Sequence, residues 1–283
     1  MRILIFGKNG QVGSSLIELL ADEHEVKGLD QTDLDLKQVD DIDATISDFK
    51  PDWVINASAY TAVDRAEDDA ELADAVNHLA PAVMAKACAA LQCGFIHYST
   101  DYVFDGTSKT PYVETDVPSP QSVYGETKLA GELAVMQAYP STIILRTAWV
   151  YAKLGANFVN TMLRLAADRD ELGVVADQFG SPTLAFDLAE VTVSILQKTA
   201  LDQLTNVAGV YHATGAGTAS WHDFAAEIFK LSGVSIKLNA ITTADYPTPA
   251  PRPQYSVLSN EKLHRVFGVR LPSWQQSLQK TLA

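Results

Sequence analysis

"RILIFGKNGQVG", residues 2–13, joins a strand-like apolar run to a glycine-rich turn and the start of a helix. The continuous run RILIF is typical of a strand buried on both faces of a sheet. Gly7, Gly10 and Gly13 follow as G-x-x-G-x-x-G, and glycine lets the main chain approach a diphosphate at a helix N-terminus. A plain tight turn is the alternative, but the strand–turn–helix context favours dinucleotide binding.

Strands and helices alternate from this segment to about residue 151. The apolar runs predict further strands at 25–30, 53–56, 94–99 and 142–151. Apolar spacing and prolines predict helices to about Leu20, over 72–91 and over 123–138. This rhythm is typical of βαβ units around a parallel sheet, and right-handed crossovers make the sheet doubly wound. The sequence therefore predicts an α/β fold of the Rossmann type.

After Tyr151 the alternation weakens, which suggests a second region. We expect residues 1–150 to form the dinucleotide-binding domain. Residues 151–283 should form mainly a smaller α/β substrate-binding region, with segments around 184–212 returning to the first domain. The proline-rich stretch DYPTPAPRPQYS, residues 245–256, reads as a loop whose only cation is Arg252. A linker and a binding loop both fit this composition.

Charge and composition exclude several classes of function. The chain has 283 residues, 47% of them hydrophobic, with a formal net charge of −14. Such a charge repels nucleic acid, so we expect no DNA or RNA partner. No run approaches the ~20 apolar residues of a membrane span, and the N-terminal run is too short for a signal peptide. We expect a cytoplasmic protein in which Cys88 and Cys93 are buried thiols and no metal is bound through cysteine.

Acidic residues follow the second predicted strand at the position where an adenosine ribose is held in dinucleotide-binding folds. Asp30 lies 17 residues past Gly13, close to the ~20-residue offset of that acid. Asp33 and Asp35 follow it, and one of the three could instead cap the next helix.

Two polar segments predict a catalytic site. In YSTDYVFDG (98–106), Ser99, Thr100 and Asp101 stand at the carboxyl end of a strand, where ligands bind in open α/β sheets, although turn chemistry also suits them. In SVYGETKLAGE (122–132), Tyr124 and Lys128 are four residues apart and share a helix face. A nearby ammonium lowers the pKa of a phenol from ~10, which would let Tyr124 donate a proton to a carbonyl.

The glycine turn, Thr100 and the Tyr124-x-x-x-Lys128 pair together resemble the extended short-chain dehydrogenases/reductases. The closest resemblance is to the dTDP-4-dehydrorhamnose reductases. It rests on blocks between residues 6 and 253: FGKNGQVG, HYSTDYVFDG, VYGETKLAGE, RTAWVY, NFVNTMLRLA, DQFGSPT and YPTPAPRP. The resemblance implies NADPH- or NADH-dependent reduction of the 4-keto group of dTDP-4-dehydro-L-rhamnose to dTDP-L-rhamnose, a sugar donor for cell-surface polysaccharide.

The resemblance also implies a role for each matching residue. Tyr124 is the general acid, Lys128 holds the nicotinamide ribose and tunes the phenol, and Thr100 hydrogen-bonds the reacting oxygen. The cofactor is held by residues of the glycine turn and of two later strand ends: Gly10, Gln11, Val12, Asp35, Leu36, Ser58, Ala59 and Tyr60. The dTDP-sugar site includes Asp101, Phe104 and Trp149, and Arg252 meets the substrate's diphosphate.

Two alternatives share this fold: another sugar-nucleotide enzyme, which is a dehydratase or an epimerase, and a non-catalytic regulatory subunit. A sugar-nucleotide dehydratase carries Thr-Asp-Glu where this chain has Thr100-Asp101-Tyr102, and an epimerase keeps its NAD tightly bound. A non-catalytic regulatory subunit need not keep Thr100, Tyr124 and Lys128, so their presence favours an enzyme.

One position departs from the pattern of family members in which Mg²⁺ bridges a dimer. A carboxylate stands there two residues after the third glycine, whereas this chain has Ser15. A hydroxyl is a poor replacement, because Mg²⁺ prefers carboxylate oxygens. We therefore expect activity without Mg²⁺ and a monomer or weak homodimer.

Overall fold

The computed structural model describes residues 1–283 and contains twelve strands and twelve α-helices. The strands are β1 Arg2–Phe6, β2 Glu25–Leu29, β3 Trp53–Asn56, β4 Gly94–Thr100, β5 Ile143–Thr147, β6 Val150–Tyr151, β7 Glu171–Val175, β8 Phe179–Gly180, β9 Thr183–Leu184, β10 Gly209–His212, β11 Ala219–Ser220 and β12 Lys237–Ile241. The helices are α1 Gln11–Leu20, α2 Val39–Phe49, α3 Val63–Ala66, α4 Ala70–Asp74, α5 Ala80–Leu91, α6 Val123–Ala138, α7 Phe158–Asp168, α8 Ala185–Lys198, α9 Leu204–Val207, α10 Trp221–Ser232, α11 Glu261–Phe267 and α12 Trp274–Leu282.

Shorter helical segments lie between these elements. A π-helical turn, Ala75–Leu79, joins α4 to α5. Three 3₁₀ turns cover Asp101–Val103, Leu201–Gln203 and Thr243–Asp245.

Six strands form one parallel sheet in the order β10-β5-β4-β3-β1-β2, which confirms the predicted doubly wound α/β class. β1 lies between β3 and β2, so the strand order reverses beside the glycine turn, as in other sheets that bind dinucleotides. The last strand of the sheet, β10, comes from the second half of the chain and pairs with β5.

Two apolar layers cover the sheet. On one face, residues of β1, β3, β4 and β5 pack against α1, α8 and α11. On the other face, the sheet packs against α2, α5 and α6. A third core joins α7, α10 and α12 to β7 in the C-terminal region. The burial of the sheet on both faces explains why its strands read as continuous apolar runs.

The predicted strand over 142–151 is wrong in one respect, because it is two strands. β5 ends at Thr147, and β6 pairs with β9 outside the main sheet. Between them Trp149 has a φ of +48°, a left-handed conformation that breaks the ladder. The loop over 245–256 is confirmed as free of helix and strand beyond the 3₁₀ turn at its start.

Candidate active site

A cleft of about 1450 Å³ lies at the carboxyl ends of the strands of the main sheet. Its volume exceeds the ~300–1,000 Å³ of a site for one drug-sized ligand, which leaves room for two ligands side by side. Fifteen of the residues singled out in the sequence line it: Gly7, Gly10, Gln11, Val12, Asp30, Asp35, Leu36, Ser58, Ala59, Tyr60, Thr100, Asp101, Tyr124, Lys128 and Trp149. Gly13, Phe104 and Arg252 do not.

The glycine turn packs the first helix tightly against the sheet. Gly7 has a φ of +88°, and a Cβ at Gly13 would lie only 2.0 Å from the carbonyl oxygen of Gly7. Gly13 therefore serves helix packing and does not reach the cleft. Gly10 is the N-cap of α1, which has no side-chain cap and no acidic residue in its first turn. The main-chain N–H groups there fit a diphosphate.

The acids after β2 take different partners. Asp30 accepts hydrogen bonds from the Thr32 N–H at 2.8 Å and from Asn9, and its contacts with Thr32 lower its pKa. Asp33 pairs with Lys8 at 2.6 Å. The alternative that one of these acids caps α2 is wrong, because its N-cap residue is Gln38. Asp35 accepts from the Lys37 N–H at 3.0 Å and pairs with the Lys37 ammonium at 3.3 Å, and both Asp30 and Asp35 line the cleft.

The segment after β3, residues 58–60, is hydrogen-bonded to Asn56 and to Asn77. The main-chain N–H and the hydroxyl of Ser58 both donate to Asn56 Oδ1. The amide of Asn77 accepts from the N–H of Tyr60 at 2.9 Å and donates to its carbonyl at 3.2 Å. Asn77 lies in the π-helical turn and also donates to Thr127 on α6. Asn77 was not predicted from the sequence, although an amide within an apolar helical stretch is a usable signal.

The helix that carries Tyr124 and Lys128 approaches the sheet closely because glycines face its neighbours. Ser122 caps α6 by accepting from the Gly125 N–H at 3.2 Å. A Cβ at Gly125 would lie 2.3 Å from the carbonyl oxygen of Tyr102. This packing buries Tyr124 and Lys128 at the wall of the cleft, beside the end of β4.

Burial shifts the pKa values of both members of this pair. It raises the pKa of Tyr124 to about 12, with an opposing contact from the Thr100 hydroxyl. The Nζ of Lys128 donates to the Tyr98 carbonyl at 2.7 Å. The expectation that Lys128 tunes the phenol stays a prediction. Burial lowers the pKa of Lys128 to about 8, while the Glu132 carboxylate opposes that shift. Tyr124 is thus a protonated phenol at neutral pH.

Asp101 is a buried carboxyl group at the same strand end. Its Oδ1 accepts from the Thr100 hydroxyl at 3.0 Å, whereas its Oδ2 has no partner. Burial raises its pKa to about 6.

A buried ion pair supports the catalytic helix from behind. Arg146 on β5 makes two hydrogen bonds to Glu132 on α6, at 2.9 and 2.6 Å, and both side chains are only 4% exposed. This pair was not predicted from the sequence. An arginine in an otherwise apolar strand and an acid four residues after Lys128 could have indicated a buried ion pair.

Phe104 and Arg252 lie at a second, smaller cavity of about 260 Å³. Tyr102 lines both cavities, so the two are neighbours. The ring of Phe104 is buried and stacks on Tyr112 at 4.2 Å. Arg252 forms an ion pair with Asp64 at 2.8 Å. The structure therefore separates these two residues from the wall that carries Tyr124.

No group of three or more His, Cys, Asp or Glu side chains in the chain is placed to hold a metal ion. Ser15, at the position singled out for Mg²⁺, donates to the carbonyl of Gln11 at 3.0 Å. No helix combines the length and apolar character that a bilayer span requires.

The whole chain matches one family of known proteins. The family model described as the RmlD substrate binding domain matches residues 1–283. The dTDP-4-dehydrorhamnose reductase of Sinorhizobium fredii (strain NBRC 101917 / NGR234) is 43% identical over 284 residues, which cover 99% of this chain and 96% of that protein.

Solved structures give the same result. The crystal structure of a dTDP-4-dehydrorhamnose reductase from Clostridium acetobutylicum ATCC 824 is 42% identical, with a TM-score of 0.94 over 100% of this chain and 98% of the other. The enzyme of the same name from Bacillus anthracis str. Ames, in complex with NADP, is 34% identical, with a TM-score of 0.93 over 99% and 98%. This chain belongs to the dTDP-4-dehydrorhamnose reductase family.

Proposed function

We propose that this protein is an NAD(P)H-dependent reductase that converts dTDP-4-dehydro-L-rhamnose to dTDP-L-rhamnose. The observation that carries the proposal is the placement of Thr100, Tyr124 and Lys128 together at the end of β4, in the wall of a cleft large enough for two ligands. Membership of the reductase family supports the substrate.

The cofactor half of the cleft offers donors where a dinucleotide needs them. We assign its diphosphate to the main-chain N–H groups of Gln11 and Val12, beside Gly10, whose own N–H donates to the Gly7 carbonyl at 3.0 Å. The adenosine end meets Asp30, Asp35 and Leu36. The nicotinamide half lies along Ser58, Ala59 and Tyr60 and beside Lys128. NAD(P)H, when bound, supplies the hydride for the carbonyl carbon.

Side chains of the protein stabilise and protonate the oxygen of that carbonyl. Tyr124 donates the phenolic proton as negative charge develops on the oxygen, and Thr100 turns the hydroxyl proton that it donates to Asp101 toward the same oxygen. A pKa of about 12 keeps the phenol protonated at neutral pH. Lys128 orients the ribose, and its charge stabilises the phenolate that proton transfer leaves.

The remaining residues are assigned to the dTDP-sugar. Asp101 and Trp149 line the same cleft and bind the sugar. Arg252 meets the diphosphate, and Phe104 supports the neighbouring cavity through its buried stack on Tyr112. We also propose that residues 1–150 and 151–283 form the two functional regions and that the enzyme works in the cytoplasm.

The direct test is NAD(P)H oxidation on addition of the 4-keto sugar nucleotide. We expect stoichiometric formation of dTDP-L-rhamnose, with a matched UDP-4-keto sugar as the control substrate. Tightly bound NAD in the purified protein, with no net oxidation of NAD(P)H, would instead indicate an epimerase. Loss of water from dTDP-glucose would indicate a dehydratase, although Tyr102 stands where that class has a second acid.

A further inference from the structure

Two indole rings stack face to face at the edge of the cleft. The ring centroids of Trp149 and Trp221 are 3.4 Å apart and their planes differ by 4°. Both residues line the cleft. Aromatic pairs usually prefer offset or edge-to-face arrangements with centroids about 4.5–7 Å apart. The surrounding structure therefore imposes this stack.

The main chain of Trp149 is also in an unusual state. Its φ of +48° is rare for a bulky residue and persists only where the surroundings hold it. A Cβ on Gly180 would lie 2.4 Å from Cε2 and 2.6 Å from Nε1 of Trp149, so the glycine main chain lies directly against the indole. Trp221 covers one ring face, and the Gly180 main chain lies against the Cε2–Nε1 side of the indole.

The two residues that hold Trp149 belong to one rigid unit. Gly180 on β8 pairs with Ala219 on β11, and Trp221 follows β11 as the first residue of α10. Ser220 and Asp223 form a capping box that fixes this helix start. The ring centroids of Phe158, at the start of α7, and Trp221 are 4.6 Å apart. The C-terminal region thus presents a preformed slot for the indole of Trp149.

We propose that Trp221 and Gly180 are positioning residues that fix the Trp149 indole at the wall of the cleft, so that the sugar nucleotide meets a ring that is already in place. The proposal rests on the proposed function, which assigns Trp149 to the dTDP-sugar. Position supports it: Trp149 follows Thr147 by two residues, and Thr147 is in register with Thr100. A ring fixed there sets the width of the sugar site.

The stack can be observed directly by the exciton-coupled band that two stacked indoles give in far-ultraviolet circular dichroism. We expect this band in the wild-type protein and its loss in Trp149→Phe and in Trp221→Phe. Trp274→Phe is the matched control, because Trp274 is buried in the C-terminal core and away from the cleft. The band should persist with saturating dTDP-L-rhamnose, because the stack is a fixed support.

Kinetics test the positioning role. Trp221→Leu and Gly180→Ala should each raise KM for the 4-keto sugar nucleotide about 3- to 10-fold, the range of one aromatic contact, with KM for NAD(P)H within about twofold of wild type. Trp221→Phe should keep most of the affinity. Gly173→Ala is the control for Gly180→Ala, because its Cβ would meet only the side chain of Ile241.

Two results would overturn the proposal while the wild-type enzyme is active: loss of the exciton band on addition of dTDP-L-rhamnose, or equal effects of Trp221→Leu on the KM values of both ligands. If Trp221→Leu does not fold, the KM values of Gly180→Ala test the proposal, because this change adds only one methyl group beside the Trp149 ring. A wild-type protein with no reductase activity and no binding of dTDP-L-rhamnose would overturn the proposed function itself, whatever the band shows.

Discussion

Arg252 and Asp64 form an ion pair in which Nη2 and Oδ2 are 2.8 Å apart. Asp64 lies in α3 and Arg252 in the proline-rich loop, and the same carboxylate accepts from the main-chain N–H of Ala250 at 3.2 Å. The only cation of that loop is therefore already paired before any anion binds. A diphosphate must draw Arg252 away from Asp64 or share it.

We expect Arg252→Ala to raise KM for the sugar nucleotide about 10- to 100-fold, because a charge-assisted contact contributes ~1.5–3 kcal/mol. Asp64→Asn removes the competitor and should lower that KM. Neither change should alter KM for NAD(P)H, which steady-state kinetics with each ligand varied will check. Equal effects on both ligands would mean that Arg252 only braces the loop.

Tyr124→Phe should keep cofactor binding and lose most turnover. The phenolic proton is needed only as the oxyanion forms, and general acid catalysis contributes about 10²–10⁴ in rate. Cofactor Kd from titration and kcat from NAD(P)H oxidation separate the two effects. A variant with a kcat close to wild type would remove Tyr124 from the mechanism.

The buried carboxyl of Asp101 should make stability depend on pH. Its folded pKa of about 6 lies above the ordinary value of 3.8, so the folded state holds this proton more tightly than the unfolded chain. Its contribution to stability is fully present below pH ~4 and is lost as pH rises through about 6. The shift corresponds to about 3 kcal/mol at most.

Asp101→Asn removes this dependence. Measured by urea unfolding, the variant should gain stability relative to wild type as pH rises from about 4 to about 6. The exposed Asp68→Asn serves as a control that should show no such trend. A difference between Asp101→Asn and wild type that stays constant over this range would contradict the assignment.

The Glu132–Arg146 pair should be far more costly to break than to replace. Glu132→Met leaves the guanidinium of Arg146 buried without its partner, which costs about 3–5 kcal/mol. Exchange of both residues for methionine removes both charges and should be nearly neutral. Urea unfolding of Glu132→Met, Arg146→Met and the double variant gives the coupling energy. Equal destabilisation by the double exchange would show that the pair itself stabilises the fold.

Local signals explain what the sequence predicted well. β3 and α6 fall at the expected residues because prolines and apolar spacing mark their ends. The Arg252–Asp64 pair was not predictable, because its residues are 188 positions apart. Glu132–Arg146 joins the neighbouring elements α6 and β5, but only the fold shows that the two side chains meet. The left-handed backbone of Trp149 was also missed, and the residues against its ring, Gly180 and Trp221, lie in another part of the chain.

Ser15 leads to a prediction about metal and assembly. Its hydroxyl is engaged with the Gln11 carbonyl, and Glu18 stands one turn further along α1, at a different height. The metal-bridged dimer of some family members therefore lacks a ligand here, because Mg²⁺ prefers carboxylate oxygens and gives up its waters reluctantly. The proposed chemistry of Tyr124, Lys128 and Thr100 requires no metal.

We expect the same activity and the same molar mass in excess EDTA and in millimolar Mg²⁺, with a monomer or weak homodimer in both. Light scattering and NAD(P)H oxidation on one preparation measure both properties. Ser15→Glu restores the carboxylate and is the matched variant, since any Mg²⁺-dependent change in mass should appear only there. A wild-type dimer that dissociates in EDTA and loses activity would show that other carboxylates hold the ion, and that Ser15 does not decide the assembly.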